Sequence, residues 1–138
     1  MHDLEKARSL LEQKNCTCVI CRGEDVITDH RRGIRPLMEL LESGKDLHGY
    51  SAADKVVGKA AAFLYCLLGI QALYAGVLSV PAREVLTTAG ISVECDILVP
   101  AIRNRAGDGF CPMETAVWDL TDPALAPDAI RAALQKLS

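Results

Sequence analysis

Ser51-Ala52-Ala53-Asp54-Lys55-Val56-Val57-Gly58-Lys59-Ala60-Ala61-Ala62 leads into a long apolar run, and its reading decides how the rest of the chain is assembled. Ser51 and Asp54 have the three-residue spacing of a capping box ahead of an apolar helix. That spacing predicts a central helix over about 52–68. Lys55 and Lys59 then fall four apart on one helical face, within the first two turns. Like charges at that spacing repel, and cations near a helix N-terminus oppose its dipole. Gly58 between them costs about 1 kcal/mol relative to Ala in a helix interior. Local rules broken together in this way mark Asp54, Lys55 and Lys59 as a candidate site. Their other reading is a solvated helix edge with snorkelling lysines.

Working outward, residues 3–14 read as an amphipathic helix, with Leu4, Ala7, Leu10 and Leu11 on one face. Strands at about 16–21 and 25–29 form a hairpin across Gly23. His30-Arg31-Arg32-Gly33-Ile34-Arg35-Pro36 is a basic loop, and Pro36 opens a short helix to Glu42. Beyond the central helix come a buried strand (72–78), a helix opened by Pro81 and closed by Gly90, and a strand over 93–99. Pro112 opens a helix to about Leu120, and a last helix covers 127–137. Strand–helix–strand crossovers imply parallel neighbours, so the expectation is an α/β fold: a mixed sheet with helices on both faces, in three layers. In such sheets ligands gather beyond the carboxyl ends of strands.

The chain has 138 residues, half of them hydrophobic, with 15 Lys and Arg against 18 Asp and Glu. That is the size of one domain, here taken as 1–138, with a real core. A net charge of −3 with no basic stripe argues against nucleic acid as the partner. The charged N-terminus lacks the apolar segment of a secretory signal, so a cytoplasmic location is expected. Lys59, Gly69 and Gln71 interrupt the apolar stretch from Val56 to Val80, so no membrane span is expected there. Six cysteines in a reducing compartment are then thiols. Cys16-x-Cys18-x-x-Cys21 has a zinc-like look, but as a strand it places Cys16 and Cys18 on one side and Cys21 on the other. No metal and no cofactor is expected.

Two further places carry polar residues that packing does not require. Pro112 as first helical residue puts Cys111 at an N-cap, after a loop holding Arg103, Asn104 and Arg105. Amides, dipole and arginines there favour a thiolate. The plainer reading of Cys111 is a small buried hydrophobe, and of Glu114 a capping carboxylate. The basic loop around Arg32 either binds phosphate or carboxylate or is simply solvated.

Gly33-Ile34-x-Pro36-Leu37, the 53–62 segment, Ile102-x-Asn104-Arg105 and Cys111-Pro112-Met113-Glu114 together resemble the bacterial domain-of-unknown-function 1893 family, over about residues 10–120. The resemblance implies a cytidine deaminase-like fold and names no reaction. A deaminase of that fold needs His-x-Glu or Cys-x-Glu at the first core helix and Pro-Cys-x-x-Cys at the next. This chain offers Ala53-Asp54-Lys55 and Pro81-Ala82-Arg83-Glu84-Val85, which leaves zinc deamination without ligands. Three expectations remain open. The first is a zinc-less domain binding a small anionic, nucleotide-like ligand through Lys55 and Lys59, with Asp54 orienting a lysine and Arg32, Asn104 and Arg105 assisting. The second is an enzyme with Cys111 as nucleophile, helped by Lys55 or Glu114. The third is a structural or regulatory subunit whose apolar helices form a homo-oligomer.

Overall fold

The computed structural model describes residues 2–104, 106–107 and 109–137. Helix α1 (Asp3–Gln13) starts with the His2 ring accepting from the Leu4 amide and with Asp3 and Glu5 in its first turn, where the dipole favours them. Strands β1 (Cys18–Arg22) and β2 (Asp25–Asp29) pair antiparallel across a turn at Gly23, whose φ of 59° suits glycine. Helix α2 (Arg35–Glu42) opens on Pro36.

The quoted stretch departs from its expected form. Ser51–Val57 is a strand, β3; Gly58 is extended and caps α3, which runs only from Lys59 to Leu68. Its sequence is alanine-rich and lacks the alternation of a half-buried strand, because β3 is central and covered on both faces. Ala52 packs toward α3 and Ala53 toward α1. Small side chains let both layers approach.

Strand β4 (Ala72–Ser79), helix α4 (Val80–Thr88) and strand β5 (Ser92–Val99) complete a β3–α3–β4–α4–β5 run. Ser79 caps α4 by accepting from the Ala82 amide at 3.1 Å. The sheet order is β2-β1-β3-β4-β5, with β1 antiparallel to β2 and β3 and the last three strands parallel. Cys18 stands opposite Asp54, and Asp54 opposite Ala75. Helix α1 covers one face of the sheet, through Ala7, Leu11, Val19, Cys21, Ala53 and Tyr74. On the other face lies α3, apolar all round, flanked by α2 and α4. Helices α5 (Pro112–Val117) and α6 (Ala126–Leu137) close over α3, with Met113, Val117 and Ile130 in the same core. The expected mixed α/β sheet with helices on both faces is the architecture observed.

Two local readings change. Cys16 precedes β1 and sits with Val19 and Cys21 on the α1 side, while Cys18 faces α3, so the split of the three thiols differs from simple alternation. The alternation also slips by one residue where the site begins. The α3-facing positions pass from Ala52 and Asp54 to Val57 in β3, and from Leu73 and Ala75 to Leu78 in β4. Gly76 stands at the slip, with the Lys55 carbonyl so close that a Cβ would approach it to 2.8 Å. Among the described residues, no helix is long and apolar enough to cross a membrane.

Gly76→Ala is therefore expected to cost about 1–3 kcal/mol, because the obstructing atom is backbone and cannot swing aside. Urea unfolding measures it. An unchanged midpoint would show that the two strands part easily at this point.

Candidate functional site

A cleft of about 390 Å³ opens beyond the carboxyl end of β3. One wall is Arg31–Ile34, Pro36 and Leu37 with Thr17 and Cys18; the floor is Asp54–Val56, Gly58, Ala60 and Ala61. Ile102, Arg103, Cys111, Met113 and Glu114 form the far wall. Four separate parts of the sequence thus meet at one place.

Glu114 decides the geometry of the floor. Only 2% exposed, its carboxylate accepts from the Lys59 amide at 2.6 Å and from the Ala60 amide at 2.9 Å. It caps α3, the helix across from its own. Burial pushes its proton affinity up, while those two amides and the Lys59 charge pull it down; burial wins. A Cβ on Gly58 would fall inside that carboxylate, closer than any real contact, so glycine is required there. Lys59 completes the exchange. Its ammonium leaves the α3 N-terminus, donates to the Trp118 carbonyl at 2.6 Å and lies over the Phe63 ring. Trp118 is the C-cap of α5, where the dipole favours a cation.

Asp54 occupies the opposite side of the floor. Its Oδ2 accepts from the Tyr65 hydroxyl at 2.7 Å and its Oδ1 from the Val56 amide at 3.3 Å. Tyr65 is fully buried and its oxygen lies 3.2 Å from the Cys18 sulfur. Burial raises the Asp54 carboxyl from 3.8 to about 6, against the Tyr65 and backbone bonds that lower it. Burial likewise pushes up the Cys18 thiol and the Tyr65 phenol, and Asp54 beside them adds to both.

The expected site residues divide. Asp54, Lys55, Arg32, Cys111 and Glu114 line the cleft; Lys59 and Asn104 do not. Lys59 is a correction that follows from the strand: with β3 ending before Gly58, Lys55 and Lys59 share no helical face. Asn104 sits in the loop turn, where its amide donates to the Gly109 carbonyl and its carbonyl accepts from Gly107. Arg105 lies outside the described residues. Cys111 is the N-cap of α5, as expected; it is half-buried, and its side chain makes no capping bond. Glu114, its expected helper, has both oxygens on α3 amides. Arg103, expected from the sequence only as a neighbour of Cys111, lines the cleft with its guanidinium 5.2 Å from the centre of the Phe110 ring. Arg31, part of the basic loop singled out in the sequence, lines the cleft but is held by Asp29 and Glu39.

Residues 6–134 match the profile of a domain of unknown function, DUF1893. The chain belongs to the DUF1893 family. A crystal structure of a DUF1893 family protein (TM1506) from Thermotoga maritima is similar over 97% of this chain and 89% of that one, at 29% identity with a TM-score of 0.85. Two structures of dCMP deaminase from the cyanophage S-TIM5 show a fainter likeness. The apo form has a TM-score of 0.45 at 13% identity, covering 68% of this chain and 94% of that one. The complex with dCMP and dUMP has a TM-score of 0.44 at 10% identity, covering 67% and 93%. No curated protein matches the chain in sequence.

The donor set of this DUF1893 chain does not fit a deaminase zinc. Glycine and lysine stand at the start of α3 and Pro81-Ala82-Arg83 at the start of α4. Among the described residues, no three His, Cys, Asp or Glu side chains group closely enough to hold a metal.

Two stability outcomes follow. Glu114→Ala leaves two α3 amides unpaired and a void beside Gly58, and is expected to cost about 2–4 kcal/mol in denaturant unfolding. Glu114→Gln should recover part of it. A loss below about 1 kcal/mol would show that water replaces the carboxylate. The second concerns pH. A carboxyl whose folded value is raised favours the fold below its unfolded value and loses that contribution as pH climbs through the folded one. The wild type should therefore lose about 2–3 kcal/mol relative to Asp54→Asn between pH 4 and pH 7. A difference that stays flat across that window would contradict a buried, ionising Asp54.

Proposed function

We propose that this DUF1893 chain is a small-molecule-binding domain whose cleft takes an anionic ligand with a partly apolar, nucleotide-like body. One observation carries the reading: the cleft's charges do not cancel. Arg31 is spent on Asp29 and Glu39, and Glu114 on the α3 amides. Arg32, Lys55 and Arg103 then stand against Asp54, and none of the three makes an ion pair among the described residues. Unpaired cations around a concave space suit a carboxylate or phosphate. Ile34, Leu37, Ile102 and Met113 add an apolar wall, the usual partner of a few convergent polar groups in a ligand site.

Since Glu114 already fills the α3 N-terminus, the ligand's charge falls to side chains. Lys55 supplies a point charge and Arg32 and Arg103 planar forks. The earlier pairing of Lys55 with Lys59 is replaced by Lys55 with Arg32.

The test uses AMP, 4-methylbenzoate and inorganic phosphate, read by calorimetry and by the rise in Tm that binding produces. The apolar-bodied anions are expected to bind more tightly than phosphate. In the Arg32→Gln/Lys55→Met double variant their affinity should fall at least tenfold, the loss of one or more charge-assisted contacts. Equal affinity in wild type and variant, or no binding of any of the three, would refute an anion site here.

A further inference from the structure

We infer that the Asp54 end of the cleft reads a planar N–C–N edge, an amidine or guanidine, so that the ligand is an acid at one end and an N–H donor pair at the other. The inference rests on the anion-binding reading of the same cleft and goes beyond it. Asp54 is a carboxylate acceptor on the floor of a cleft whose other carboxylate, Glu114, is committed to the α3 amides. No cationic side chain pairs with it among the described residues, although Lys55 is its chain neighbour. A carboxylate withdrawn from water and left without a counter-charge is costly unless something else supplies donors.

Its orientation is fixed from behind. Tyr65 holds Oδ2 and the Val56 amide holds Oδ1, with the Lys55 amide adding to the backbone support. Tyr65 in turn is fully buried and seated against Cys18, so the carboxylate plane is not free to turn. Each oxygen accepts more than one hydrogen bond, and Asp54 lines the cleft, so a ligand there meets a carboxylate with acceptor capacity to spare. Two parallel acceptors in a fixed plane match two parallel N–H groups, the fork geometry that makes guanidinium–carboxylate pairs specific. An ammonium offers one nitrogen and meets only half of that arrangement. The far wall cannot compete for the donor group, since Glu114 has both oxygens committed to α3.

Three matched probes decide it: 4-amidinobenzoate, 4-(aminomethyl)benzoate and 4-methylbenzoate, titrated calorimetrically at pH 7.5. The wild type is expected to bind the amidine at least tenfold more tightly than the methyl compound, with the aminomethyl compound between them. Asp54→Asn should reduce the amidine preference below threefold while 4-methylbenzoate still binds, at least as tightly as to the wild type because a like charge has gone, which also reports that the variant is folded. Tyr65→Phe keeps the core volume and frees Oδ2; the preference should fall severalfold there as well. Equal binding of the three probes by the wild type overturns the N–C–N assignment and leaves the anion site standing. So does a preference that survives in both variants, or an aminomethyl compound as tight as the amidine. Failure of all three to bind overturns both readings.

Discussion

The bond from the Glu114 carboxylate to the first two amides of α3 is the constraint on which the rest of this structure depends. It joins residues 55 positions apart at the junction of the central strand and the central helix. Burying a carboxylate costs several kcal/mol, and it is sustained here by two charge-assisted bonds and the positive end of a helix dipole. Lys59 returns the favour at the other end of α5, its ammonium on the Trp118 carbonyl. Each helix thereby lends the other the charge its terminus prefers. The arrangement fixes α5 against α3, seats Met113 and Val117 in the core, and demands glycine at position 58.

The same bond shapes the chemistry left to the cleft. A helix N-terminus open to solvent would draw an anion to its amides. Here a protein carboxylate holds two of them, so the cations that line the cleft are those of Arg32, Lys55 and Arg103 on the surrounding loops and strand end, beside Arg31, which Asp29 and Glu39 hold. Asp54 lies across the floor with its own support from Tyr65. The outcome is a site with two differently charged ends.

Much of the architecture was legible in the sequence. Pro36, Pro81 and Pro112 mark helix starts through φ and the missing N–H, which are local properties, and Cys111 takes the N-cap position that Pro112 implies. The hairpin and the parallel crossovers follow from short-range signals as well. The misreading fell on Ser51–Val57. Ala52, Ala53 and a Ser–Asp spacing imitate a helix start, and a strand buried on both faces shows no alternation to contradict them. One signal could have corrected it: Gly58 between Val57 and Lys-Ala-Ala-Ala is better placed as an N-cap than as an interior residue. Glu114 on α3 was beyond sequence reading, since nothing local ties it to a helix more than fifty residues away.

That misreading also changes what the lysines mean. On one helix, Lys55 and Lys59 would be repelling neighbours about 6 Å apart, held together against the dipole for some ligand's sake. On a strand end and a helix start with Gly58 between them, they part company. Lys59 satisfies a carbonyl at the end of α5, and its place in the first turn of α3 is tolerated because its charge is elsewhere. Lys55 remains at the cleft, next to a carboxylate that bonds to a tyrosine and a backbone amide in preference to it. The apparent violation of helix rules was two separate pieces of good local chemistry, and the charge that no cation answers among the described residues is that of Asp54.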